Sequence, residues 1–203
     1  MHNAPALIKT QKQKPEMNTI APSPILNGID TDALKNAMSA IADAPAKGMT
    51  HWQVRTTWKG GTRNDTHVTE YSIGGERVEK DFTIKIDEPL ALCGTNQYAN
   101  PQEYLLAALN SCMMVGYAAV CALQGIRLDA MHIETSGDID LRGFLGLDEN
   151  VKSGYDSLTY SVHLRGDATP EQFQAVHEFV MRTSPNRFNL ASAVALKARL
   201  VVE

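Results

Sequence analysis

The chain has 203 residues, 43% hydrophobic and 21% charged, which is the balance of a globular protein long enough to bury a substantial core. Its formal net charge is −4 and it carries no lysine/arginine run, which sets a nucleic-acid surface aside. Three cysteines, Cys93, Cys112 and Cys121, are too few and too odd in number for a disulfide framework and fit a reducing compartment. The first residues, MHNAPALIKTQKQKPEMN, hold no apolar signal core, so a cytoplasmic protein is expected.

Residues 1–26 are rich in Lys, Gln, Pro and Asn and read as a loosely held tail, leaving 27–203 as one domain. A helix follows the tail: Asp30 or Thr31 can cap it, and Leu34, Ala37, Met38 and Ile41 recur at helical spacing. Pro45 and Gly48 end it. From His51 to Glu88 the chain reads as strands. HWQVRTTW, HVTEYSI and RVEKDFTIKI are separated by Gly60-Gly61 and Gly74-Gly75, which suggests an antiparallel meander.

The segment from Asn100 to Gly125 is the most informative. Asn100 suits an N-cap, Pro101 the first helical position, and Glu103 the capping-box partner. Gly125 stands where a glycine closes a helix. No charged residue lies between Glu103 and Arg127. About 24 helical residues would span roughly 36 Å, long enough for a bilayer. Asn110, Ser111, Gly116 and Gln124 argue instead for a central helix covered by sheet. Beyond it MHIETSGDIDL reads as a strand, RGFLGLDENVKSG as a loop and YDSLTYSVHLRG as a strand. Thr169 to Gln172 starts a second helix with its own capping box. Pro185 ends that helix, and SAVALKARLVV closes the chain as a strand. Strands interleaved with two main helices indicate an α+β fold.

Free cysteines commonly fill core. Nine helical steps place Cys112 and Cys121 on opposite faces and roughly 13 Å apart along the axis, so they cannot bond to each other. The six histidines form no metal-ligand spacing, and neither a phosphate loop nor a serine nucleophile elbow is present.

The run NPQEYLLAALNSCMM resembles the signature of the OsmC/Ohr family of thiol-dependent hydroperoxide-detoxifying proteins. SPNRFNL at 184–190 is similar to the segment where that family usually has Cys-Pro. KGGTR at 59–63 resembles the loop that carries its arginine, and RGFLGLDENVKSGY resembles a subgroup of OsmC-like proteins. The resemblance spans about residues 27–203. It implies an OsmC-like fold with curved antiparallel sheet wrapped around the long helix, in an intertwined homodimer with active sites at the interface. It also implies a peroxidase reducing small organic hydroperoxides, with neither metal nor dissociable organic cofactor; the charge pattern and the covered central helix give the expectation of no nucleic-acid and no membrane partner.

By the same resemblance Cys112 is the reactive cysteine. A thiolate is the attacking species, and mid-helix Cys112 is too far from the helix N-terminus to profit from its dipole, so a cation must come from elsewhere. The resemblance assigns that role to Arg63, with Arg55 as the alternative. Glu103, or Gln102 at the family's usual glutamate position, would orient the arginine. Ser184 replaces the family's second cysteine, so the oxidised thiol would need an external thiol reductant, or Cys93, to resolve it. The alternative function is a non-catalytic OsmC-like protein binding a small apolar ligand at the dimer interface.

Overall fold

The computed structural model describes residues 24–202; of the tail expected over residues 1–26, residues 1–23 lie outside them. Strand β1 (Ile25–Leu26) pairs with β2 (Ile29–Asp30) about an Asn27-Gly28 turn with φ of 53° and 78°. The sequence reading placed Ile25 and Leu26 in the tail; Asn-Gly is the dipeptide that this turn requires. The Asn27 side chain donates to the Ile126 carbonyl and accepts from the Leu128 amide, both at 2.9 Å. Asp30 caps α1 (Thr31–Asp43), accepting from Asp32 N and Ala33 N. A 3-10 turn (Pro45–Gly48) follows it.

The expected meander forms around β5 (Asn64–Ile73). β6 (Glu76–Ile86) pairs along one edge, and β3 (Thr50–Trp52) and β4 (Arg55–Trp58) lie in tandem on the other. The run HWQVRTTW is therefore two short strands rather than one. Gly60-Gly61 and Gly74-Gly75 make the turns, all with positive φ. A bulge between Val68 and Glu70 adds local twist to this sheet.

The long helix α2 (Pro101–Leu123) starts with the predicted capping box and ends ahead of Gly125, whose φ is +74°. Leu109, Met113, Tyr117 and Cys121 recur every four residues and form its buried stripe. They pack with Ile126 and with Val176 and Val180 of α4 (Pro170–Thr183), over the antiparallel pair β7 (Leu128–Ser136) and β8 (Thr159–Gly166). Gly116 permits the close approach of α4, since a Cβ there would stand 3.3 Å from Val180. By length and composition α2 could also cross a membrane. Its polar residue Asn110 is instead satisfied by β7, donating to the Ile133 carbonyl at 3.2 Å and accepting from Thr135 Oγ1 at 2.5 Å. The opposite face stays open in the single chain, where Val115 is 69% exposed.

Further expectations need correction. β7 stops at Ser136, and the expected loop holds a one-turn helix α3 (Leu141–Phe144) capped by Asp140. Pro185 does not merely end α4. Ser184 closes α4 and caps α5 (Pro185–Ala191), placing Pro185 at the first helical position, which a missing N–H suits equally well. Residues 193–202 form no strand. Their apolar pattern is strand-like, but no strand among the described residues pairs with them, and Leu196 and Leu200 are 91% and 87% exposed. The architecture is α+β, with antiparallel sheets and one long helix, as expected.

Candidate functional site

Cys112 sits midway along α2, one turn beyond Leu109, and faces the junction of α4 and α5. At that junction Ser184, 6% exposed, donates from Oγ to Cys112 Sγ at 3.4 Å. A cleft of about 390 Å³ opens beside the pair. Val115 and Gly116 of α2 form one wall, and Val180, Thr183 and Pro185 the other. The half-buried sulfur thus lies between apolar walls with a hydroxyl as its polar neighbour. Such a sulfur can be reached by a small apolar molecule from the cleft.

The other two cysteines differ. Cys121 is fully buried on the opposite helical face, and burial pushes its thiol up, away from the nucleophilic form. Cys93 is exposed at the end of a 3-10 turn (Leu90–Leu92), in a left-handed conformation with φ of 63°.

Arg63 occupies the turn between β4 and β5, where its amide donates to the Gly60 carbonyl at 3.2 Å and its carbonyl accepts from Lys59 N at 2.9 Å. Its side chain is exposed and makes no hydrogen bond or ion pair with Cys112, Gln102 or Glu103. Its neighbour Thr62 donates to Asp87 Oδ1 at 2.7 Å. Asp87 is fully buried and also accepts from the Thr95 hydroxyl and amide and from Gln97 N. These bonds, that of the Thr95 hydroxyl foremost, hold its carboxyl well below the usual carboxylate range. Asp87 N donates to the Ala99 carbonyl, so the Arg63 turn is tied through Asp87 to the residue preceding the α2 cap. Next to it, Glu88 Oε2 is buried with no hydrogen-bond partner among the described residues.

Glu103 closes the capping box, accepting from Asn100 N at 2.7 Å while its own amide donates to Asn100 Oδ1 at 2.8 Å. Cys112 stands nine residues on, roughly 13.5 Å along the axis. Arg55 lies opposite His67 on the exposed β4 edge. The single chain therefore brings Ser184 to Cys112 and leaves Arg63, Arg55 and Glu103 apart from the sulfur.

Sequence reasoning missed Arg187. Its Nε donates to Tyr160 Oη at 3.1 Å, its Nη1 to the Met181 carbonyl at 2.9 Å, and its amide to Ser184 Oγ at 3.5 Å. Only its position three residues after Ser184 hinted at this, because its partners come from β8 and α4. His132 on β7 and His163 on β8 stand opposite each other, and their rings stack with centroids 4.3 Å apart. Among the described residues no group of three potential metal ligands comes together.

The sequence profile of the OsmC-like protein family matches residues 94–199, which takes in α2, Cys112, Ser184 and Arg187. No curated protein matches the chain. Among solved structures, an OsmC-like protein from Mycoplasma pneumoniae superposes with a TM-score of 0.55 at 12% identity, covering 69% of this chain and 86% of its own. A candidate osmotic-stress and detoxification response protein from Psychrobacter arcticus 273-4 gives 0.51 at 13% identity, over 66% and 84%. An OsmC-like hydroperoxide resistance protein from Jannaschia sp. CCS1 gives 0.42 at 18% identity, over 75% and 91%. The profile covers more than half of the chain and the first two structures share its fold: the chain belongs to the OsmC-like family.

Proposed function

We propose that this protein is a one-cysteine thiol peroxidase that reduces small organic hydroperoxides at Cys112. The observation that carries the reading is the contact between Ser184 Oγ and Cys112 Sγ. The sulfur lines a cleft, and its polar neighbour is a hydroxyl at the position where the family resemblance expects a second thiol. In the first step the Cys112 thiolate attacks the distal peroxide oxygen. The O–O bond breaks, sulfur is oxidised to sulfenic acid, and the alkoxide leaves and takes a proton as alcohol. Serine is not a thiolate nucleophile at neutral pH, so Ser184 cannot close a disulfide. An external thiol attacks the sulfenic acid, releasing water and leaving a mixed disulfide. A second thiol then returns Cys112 to its reduced form as the external disulfide departs.

Activation of Cys112 is assigned to Arg63, oriented by Glu103 or Gln102, and brought to the sulfur of a partner copy in a homodimer. The open face of α2 and the exposed apolar segment 193–202 support a second copy as their cover. Turnover of cumene hydroperoxide with a dithiol tests the reading. Activity in the wild type that disappears in Cys112→Ser is expected; equal rates in both would sink it. Absence of turnover together with saturable binding of apolar ligands would favour the non-catalytic alternative.

A further inference from the structure

On the other side of the Ser184–Arg187 corner a larger cleft, of about 590 Å³, runs along the N-terminal half of α2. Leu105 and Leu109 form its floor, Leu190 and Ala191 of α5 one wall, and Tyr155 and Leu158 the other. The lining is mainly apolar, and its size is that of a small-molecule site. The one cation among the described residues of its lining is the half-buried guanidinium of Arg187. Its Nε and Nη1 are spent on neutral acceptors, Tyr160 Oη and the Met181 carbonyl. Among the described residues no carboxylate lies within ion-pair distance of it. The acidic residue lining the cleft, Asp156, is taken up by Lys152 at the exposed rim.

A half-buried cation without a counter-charge is costly unless something anionic joins it. A guanidinium whose Nε and Nη1 are held by the protein keeps Nη2 free and is already oriented, so little entropy is lost when an anion docks. We propose that this cleft binds a small carboxylate with an apolar body, its carboxylate on Arg187 and its body along Leu105 and Leu109. Cys112 lines the neighbouring cleft, and the two clefts flank the same corner.

The test is a titration of the reduced full-length protein with octanoate and, in parallel, octan-1-ol, followed by amide chemical-shift perturbation. No peroxide is present, so this proposal and the peroxidase reading fail independently. Octanoate is expected to bind saturably, at least tenfold more tightly than octan-1-ol, with shifts centred on Leu105, Tyr160 and Arg187. Arg187→Lys should keep most of that preference, and Arg187→Gln should abolish it. Leu190→Asp, at the exposed rim, should weaken octanoate more than octanol and covers the case in which the Arg187 variants fail to fold. Equal affinity for acid and alcohol in the wild type would overturn the proposal, as would no saturable octanoate shift. So would an Arg187→Gln protein that melts earlier yet keeps the preference, which would leave Arg187 as a cap on the α4 carbonyl and nothing more.

Discussion

Replacing Ser184 by cysteine would put a second thiol where the hydroxyl now touches the Cys112 sulfur at 3.4 Å. A disulfide needs about 2.05 Å, so the two atoms must close by roughly 1.4 Å, within reach of side-chain rotation where the backbones already bring the atoms into contact. The two positions are 72 residues apart in sequence. Cross-linking a loop of that length removes chain entropy worth about 4 kcal/mol from the unfolded state, an upper figure because engineered bridges usually deliver less. In the reduced variant the loss of the serine cap on α5 costs up to about 1 kcal/mol, which lowers its stability before any bridge forms. One equivalent of hydroperoxide should therefore convert reduced Ser184→Cys into a species lighter by about 2 Da, with a cross-linked peptide joining Cys112 to the introduced thiol. Its urea midpoint should rise above that of the reduced variant by the equivalent of about 2–4 kcal/mol. Excess peroxide should drive the wild type to sulfinic acid and leave the variant largely protected. A variant that stays reduced, or that reaches sulfinic acid as fast as the wild type, would refute the placement of position 184 against an oxidisable Cys112.

Other outcomes follow from the same geometry. Arg63→Ala should lower kcat/KM for cumene hydroperoxide by roughly 100-fold, the usual scale for losing a group that stabilises developing charge; an unchanged value would remove Arg63 from the mechanism. Asp87 is held ionised by Thr95 and Thr62, so its contribution is present above pH about 4 and is lost as pH falls below that. The stability gap between wild type and Asp87→Asn, read from urea midpoints, should be largest at pH 7 and shrink towards pH 3; a gap that grows on acidification would contradict the assignment. Light scattering at micromolar concentration should give twice the 22.2 kDa chain mass, and a monodisperse monomer would dismiss the proposed pairing across α2.

The parts of the fold that could be read from sequence are those fixed by local rules. The start of α2 follows from Asn100, Pro101 and Glu103, and its end from Gly125. The capping box at Thr169 announces α4 in the same way. The opposite placement of Cys112 and Cys121 needed only helical arithmetic, and the structure has one half-buried and the other fully buried. What escaped depends on tertiary context. Proline marks both a helix stop and a helix start, so Pro185 could not distinguish one long helix end from a second short helix. The pattern of residues 193–202 specifies which side chains would alternate but supplies no edge to pair with. Arg187 became a candidate only when β8 brought Tyr160 and the last turn of α4 brought Met181 to it. The Arg63 and Glu103 roles rest on resemblance: in the single chain one side chain is exposed in a hairpin turn and the other is engaged as a cap.

The central claim is that Cys112 is the sulfur that a hydroperoxide oxidises. Treating the reduced protein with one equivalent of cumene hydroperoxide in the presence of dimedone, then mapping the adduct by peptide mass spectrometry, tests it most directly. The account predicts one dimedone adduct, on Cys112, with Cys93 and Cys121 unmodified. An adduct confined to Cys93, a Cys93–Cys112 disulfide in its place, or no oxidation even under excess peroxide would contradict it.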